Sequence, residues 1–216
     1  MIKVWILRTD SMGDPLGQHD WEKRMTKERW EHIKKLPRPK DRIQSAAAGL
    51  LLSHALKDCG ISDVSRGFYR GEDGKPFRKD ICFNLSHSRN RIVCVVSDRP
   101  VGCDVQSIVS ESDHFLSRFY SEEERTYVCR AESRKERARR FTRIWTLRES
   151  YAKMTGEGIV KTMGRISIRM GQPVRVYDRG ILQPVKMFLC EQNDAVIAVC
   201  GSEMPEMLFE TIWTKL

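Results

Sequence analysis

The chain contains no CxxC pair, no GxxxxGK[ST] phosphate loop, no GxSxG nucleophile elbow and no run near the roughly 20 apolar residues of a membrane span. These absences argue against a zinc ribbon, a Walker-type nucleotide hydrolase, an α/β-hydrolase and a membrane-spanning protein. The seven cysteines are odd in number and scattered, which suits buried reduced thiols better than a disulfide framework. The opening MIKVWILRTD meets Lys3, Arg8 and Asp10 too soon to form a signal h-region. Together these features lead us to expect a soluble, cytoplasmic protein.

Negative charge is in short supply. Against 38 Lys and Arg stand 29 Asp and Glu, a formal net charge of +9 and a pI near 9.3. Such an excess attracts anions, whether nucleic acid, nucleotide phosphates or an acidic protein, and charge alone does not choose among them. Much of it falls in Cys129 to Arg143, with seven basic and two acidic residues. That run fits a solvated helix face, the border of a docking surface for an acidic protein, or a nucleic-acid-binding helix.

What is present is an internal repeat. LSHSRNRIVCVV, Leu85 to Val96, aligns without gaps at an offset of 104 residues with LCEQNDAVIAVC, Leu189 to Cys200. Each predicts a β-hairpin, with a turn centred on Asn90 or Asp194. The same offset sets Asp41 to Leu56 against Trp145 to Gly158, both with helical spacing of apolar or small residues. The expectation is an α/β (α+β) fold of two similar halves related by pseudo-twofold symmetry, residues 1–103 and 104–216, with a break at Pro100 and Gly102. A cleft between similar halves is a natural ligand site. Ser121 with Glu124 forms a capping box and predicts a helix starting there and running toward Arg140, and Gly156 and Gly158 close the next helix. Antiparallel strands are expected from Arg165 to Val199.

Four segments carry polar chemistry. In VGCDVQ, an extended chain puts Asp104 and Gln106 on one side, either as a hard-cation site or as a solvated turn. In WTLRESYAK, Glu149 and Lys153 share a helix face, as functional groups or as an ordinary exposed ion pair. FNLSHS offers Ser86, His87 and Ser88, whose hydroxyl and imidazole groups suit phosphate oxygens. Adjacent strand residues point to opposite faces, so Ser86 is not set up as a nucleophile by His87. GEDGKPF, Gly71 to Phe77, is a hairpin turn or a backbone approach to a nucleotide beside Lys75.

The order GKPF, FNLSHS, VGCDVQ, FYSEEE, WTLRESYAKMTGEGI resembles the phosphopantetheinyl transferase family, in the long, monomeric type named for the surfactin synthetase activator. The likeness spans about Asp41 to Ile159. It implies transfer of the phosphopantetheine arm of coenzyme A to a serine of an acyl or peptidyl carrier protein, with Mg2+, releasing adenosine 3′,5′-bisphosphate. By resemblance, Asp104 and Glu149 bind the metal and Lys153 lies near the transferred phosphate. Ser86 and His87 hold coenzyme A phosphates, with Lys75 and Pro76 beside the adenine nucleotide and Lys40 and Arg42 near its basic contact. Gln106 stands where many members carry a second acidic ligand, Arg148 where lysine is usual and Gln44 where arginine is common. Gln106 would be a neutral metal ligand, which leaves Glu149 as the candidate base. Family membership implies a monomer with neither nucleic acid nor membrane as partner. The rival readings are a coenzyme A-binding member without transferase activity and a basic nucleic-acid-binding module.

Overall fold

The structure is a computed structural model that describes residues 1–17, 21–64, 67–71, 76–110 and 112–211. In chain order its elements are β1 (Ile2–Arg8), α1 (Lys27–Lys35), α2 (Pro39–Asp58), β2 (Tyr69–Arg70), β3 (Pro76–Phe77), β4 (Cys82–Ser88), β5 (Arg91–Ser97) and β6 (Gly102–Ser107). There follow α3 (Asp113–Phe119), α4 (Glu122–Cys129), α5 (Arg134–Thr155), α6 (Ile159–Thr162), β7 (Ile166–Arg169), β8 (Arg175–Asp178), β9 (Ile181–Leu182), β10 (Lys186–Glu191), β11 (Ala195–Gly201) and β12 (Met207–Thr211). This is the mixed helix-and-sheet fold the sequence suggests. No helix among the described residues is long and apolar enough to cross a membrane.

The chain divides into two compact units, Met1–Asp98 with Glu206–Leu216, and Arg99–Pro205. In the first, the sheet order is β12-β1-β5-β4, with α2 packed on it. Pro39 starts α2, where its fixed φ and missing N–H cost nothing. Leu51, Ala55 and Leu56 of α2 bury against Trp5, Leu7, Ile92 and Cys94 of the sheet. Each fully buried Leu or Ile side chain contributes about 1.5–3 kcal/mol. β12 runs parallel to β1, pairing Lys3 with Met207. The last residues therefore join the first unit, whereas the sequence assigns them to the second half; strand pairing, not chain order, decides where they pack.

In the second unit, β10-β11-β6 form one sheet and β7-β8-β9 another. α5 packs on β6 and β11, and Phe141, Ile144 and Leu147 join Leu116, Tyr120, Ile166 and Ile168 in its core. The two hairpins expected from the repeat share one register: Cys82↔Ser97 and His87↔Ile92 in β4–β5 correspond to Lys186↔Gly201 and Glu191↔Val196 in β10–β11.

Two boundaries differ from the expectation. Ser121 and Glu124 do make a reciprocal capping box, yet α4 ends at Cys129 and does not reach Arg140. Ser133 starts a new helix, its hydroxyl accepting from the N–H of Glu136 at 3.1 Å. α5 then runs unbroken to a left-handed Gly156 at φ 77°. Gly102, expected in a break, is already the first residue of β6.

Candidate active site

The site in the second unit begins with a glycine. A Cβ on Gly102 would lie 2.1 Å from the carbonyl oxygen of Ser150 and 2.4 Å from the nitrogen of Met154. Only a residue without a side chain lets β6 pass this close to the backbone of α5. Strand alternation then turns Asp104, two residues on, to the same side. Asp104 is 5% exposed, and its carboxylate accepts a hydrogen bond from Lys153 Nζ at 2.6 Å. Lys153 sits in the last turn of α5 and Glu149 one turn earlier on the same face.

The three groups are electrostatically interdependent. Burial pushes the Glu149 carboxyl above its ordinary range, the Asp104 charge pushes it further, and Lys153 opposes both. Burial disfavours the Lys153 ammonium, but Asp104, Cys103 and Glu149 outweigh that and leave it above the usual lysine range. Two carboxylates with one cation thus share a face that is partly withdrawn from water. Gln106, half-buried, follows on the same side of β6, opposite Val196 in the ladder.

Among the described residues no three His, Cys, Asp or Glu groups cluster in a way that could hold a metal. The donor set fits magnesium nonetheless. That ion takes oxygen ligands and is commonly held by one or two carboxylates while water and substrate phosphates fill its other positions. Asp104 and Glu149 would supply the carboxylates, and Gln106 a neutral amide oxygen.

Beside Glu149 lies a group of another kind. Arg148, 1% exposed, donates to both oxygens of the fully buried Glu124 at 2.9 and 2.5 Å and to the carbonyls of Phe119 and Met163, each at 2.8 Å. Glu124 also accepts from the N–H of Ser121 at 2.7 Å and of Ile168 at 2.8 Å. A buried pair satisfied on both sides fixes geometry, and removing one partner of such a pair costs about 3–5 kcal/mol. It ties the start of α4, the end of α6 and β7 to the residue preceding Glu149.

The remaining expected residues lie in the first unit. Ser86 is buried and His87 exposed on β4, facing opposite ways as alternation requires. Gln44 of α2 donates to the carbonyl of Arg89 at 2.7 Å and so holds the turn that follows them. Lys40 is exposed. Arg42 is engaged by Asp14 and by the carbonyls of Leu36 and Pro37, at 2.9 and 3.1 Å for the last two, a brace for the start of α2. Lys75 lies outside the described residues.

Pro76 lines a cleft of about 580 Å³ together with Arg29, His32, Ser45, Gly49 and Arg70. Apart from Pro76, none of these lining residues was singled out from the sequence. Arg29 donates to the carbonyl of Ser45 at 3.1 Å, and burial, then the Arg70 charge, pulls its guanidinium below the ordinary arginine range. A Cβ on Gly49 would lie 2.5 Å from Arg29 Cδ, so the glycine leaves room for this stem to lie across α2. Glu28, which lines the same cleft, pairs with Arg70 at 2.6 Å and opposes that shift, so the cleft carries two guanidinium groups and one carboxylate.

A family model described as the 4′-phosphopantetheinyl transferase superfamily matches residues 100–200. The 4′-phosphopantetheinyl transferase gsp of Aneurinibacillus migulanus is 28% identical over 181 residues, 82% of this chain and 76% of its own. The 4′-phosphopantetheinyl transferase Sfp of Bacillus subtilis is 26% identical over 174 residues, 76% of each chain. The 4′-phosphopantetheinyl transferase HetI of a Nostoc species is 31% identical over 167 residues, 73% of this chain and 70% of its own.

Proposed function

The chain belongs to the 4′-phosphopantetheinyl transferase superfamily, and from that membership we propose that it transfers the phosphopantetheine arm of coenzyme A to a serine of an acyl or peptidyl carrier protein, with magnesium, releasing adenosine 3′,5′-bisphosphate. The observation that carries this reading is the joining of Asp104, Glu149 and Lys153 on the β6 face of α5. Asp104 and Glu149 hold the metal, with Gln106 as a weaker neutral ligand. When bound, magnesium neutralises charge on the transferring phosphate and polarises its oxygens.

The chain's own groups do the rest. Lys153 holds Asp104 in place and offers its ammonium to the phosphate as charge builds, a preorganised role that needs no rearrangement of solvent. Glu149, whose carboxyl burial and Asp104 hold above its ordinary range, accepts the proton of the attacking serine hydroxyl. Ser86 and His87 contact coenzyme A phosphates, and Lys40, Arg42, Lys75 and Pro76 serve its nucleotide end. The cleft lined by Lys27, Arg29 and Arg70, with Glu28 paired to Arg70, keeps an excess of positive charge that supports an anionic ligand on that unit. The enzyme works as a cytoplasmic monomer.

Incubation with an apo carrier protein, coenzyme A and magnesium should add one phosphopantetheine mass to the carrier. Asp104→Ala and Glu149→Ala should each remove nearly all of that gain while remaining folded. Wild-type turnover in either folded variant refutes the assignment. His87→Ala should raise the KM for coenzyme A more than it lowers kcat, because a contact remote from the reacting phosphorus gives largely uniform binding.

A further inference from the structure

One side chain in the second unit is claimed by two partners. Lys153 Nζ lies 2.6 Å from Asp104 Oδ1, while phosphoryl transfer asks for the same ammonium on the phosphate. Asp104, for its part, is a carboxylate that a divalent cation would take. The competing demands meet at one pair of atoms.

Asp104 needs positive charge against it. Its side chain is 7% exposed, its strand neighbours Cys103 and Val105 and its ladder partner Ala198 are buried, and Glu149 adds a second carboxylate on the same face. A carboxylate so far from water is costly unless a cation or several donors stand against it. Lys153 supplies that cation.

The pair has a fixed half and a movable half. A Cβ on Gly102 would lie 2.1 Å from the carbonyl oxygen of Ser150 and 2.4 Å from the nitrogen of Met154, the residue after Lys153. Backbone packed this closely holds β6 and α5 together, so the ion pair does not open by a shift of either element. The side chains differ. Lys153 carries its charge at the end of a flexible four-carbon stem, and its side chain is 26% exposed against 7% for Asp104, so only the ammonium has room to swing away. Burial works against that ammonium, yet Asp104, Cys103 and Glu149 hold it above the ordinary lysine range. Its charge can change place without being given up.

We propose that Lys153 is a placeholder cation on Asp104, and that coenzyme A and the divalent metal bind cooperatively because the coenzyme's phosphates draw Lys153 off the carboxylate that the metal needs. The proposal rests on the transferase reading above. A dication binding alone would take Asp104 and Glu149 and leave the Lys153 ammonium facing like charge. A phosphate binding alone would draw Lys153 away and leave two buried carboxylates facing an anion. Each ligand removes the penalty the other meets, and linkage makes the gain in affinity the same in both directions.

The test measures Mn2+ affinity by electron paramagnetic resonance, with and without saturating coenzyme A, for wild type and Lys153→Met, thermal melts establishing that the variant is folded. Mn2+ shares the octahedral oxygen preference of magnesium. Coenzyme A ligates metal through its own phosphates in either protein, so the change in coupling is the quantity that decides. Lys153→Met should bind Mn2+ about tenfold more tightly than wild type without coenzyme A and within about twofold of wild type with it, so the coupling falls about fivefold or more. Tightening by the same factor in both conditions makes Lys153 a fixed repelling charge and overturns the proposal. Should Lys153→Met not fold, calorimetry in EDTA carries the test from the other side: Asp104→Asn should bind coenzyme A about tenfold more tightly than wild type, and Glu149→Gln clearly less so. Equal gains in those two variants reduce the effect to general charge repulsion and overturn it likewise. In either case, modification of an apo acyl carrier protein by wild type keeps the transferase reading standing. If wild type neither binds coenzyme A nor modifies the carrier, that reading falls and takes the exchange with it.

Discussion

At the scale of single residues, the site stores an electrostatic conflict. Glu149 is raised by burial and by Asp104, so its ionised form is costlier in the folded protein than in the unfolded chain. That cost is absent at pH values below the ordinary glutamate pKa and grows as pH rises through the elevated folded value. In metal-free protein at pH 7, Glu149→Gln should therefore raise Tm, by about 2–4 °C, while abolishing transfer. Lys153 plays the opposite part, its ammonium resting on Asp104 where a cation would sit. Lys153→Met should bind Mn2+ more tightly than wild type without coenzyme A, and yet transfer about a hundredfold more slowly; titration calorimetry and initial rates check both. If Glu149 is a metal ligand as proposed, metal affinity should weaken on acidification, starting at a pH above the usual glutamate range, since the metal would have to displace the Glu149 proton. Asp104, Glu149 and Lys153 were singled out by the order of motifs that resembles the family, while their spacing alone left a solvated turn and an exposed ion pair open; the structure brings the three together. Arg29 was not legible. On α1 it looks like any solvated cation, and its burial depends on a missing side chain at Gly49 in the next helix.

Among elements, the contact of β6 with α5 matters most. Gly102→Ala would drive a methyl group into the carbonyl of Ser150, and backbone cannot swing aside as a side chain does. The strand must lift, carrying Asp104 away from Lys153. We expect a loss of at least about 2–3 kcal/mol in urea denaturation, and a loss of transfer larger than the unfolded fraction explains. A Gly102→Ala protein with wild-type stability and turnover would show that the packing relaxes freely. The hairpins were readable because alternation and turn residues are local signals. The split between α4 and α5 was readable too, since Ser133 and Glu136 carry the same start signal as Ser121 and Glu124, but the charged run masked it. The role of Arg148 as an internal brace was out of reach, because its partners come from α3, α4 and α6.

Over the whole molecule, the seven basic residues of Cys129 to Arg143 overstate the positive surface that this run offers a partner. In the basic run, Arg143 pairs with Glu136 and Glu191, Arg140 with Glu136, and Arg139 donates to the carbonyl of Asn193 at 2.6 Å. Cations committed to carboxylates and carbonyls of their own unit are poorly placed to release counterions from a nucleic-acid backbone. A gel shift with duplex DNA should accordingly show only weak binding at low salt, lost near physiological salt and displaced by coenzyme A. Sequence could count these arginines but not see what they already hold. The chain path has a different consequence. Gly102 and Cys200 are ladder partners, so the segment from Arg99 to Pro205 begins and ends side by side. Asp98 follows Ser97, the partner of Ile2, and Glu206 donates to the carbonyl of Ile2 at 2.9 Å, so the flanking ends also meet. Residues 99–205 therefore form a removable cassette with two neighbouring seams. The matching segment of a relative could be grafted between Asp98 and Glu206 without rethreading the β12-β1-β5-β4 sheet, exchanging Asp104, Glu149 and Lys153 together while leaving the remainder of the chain in place.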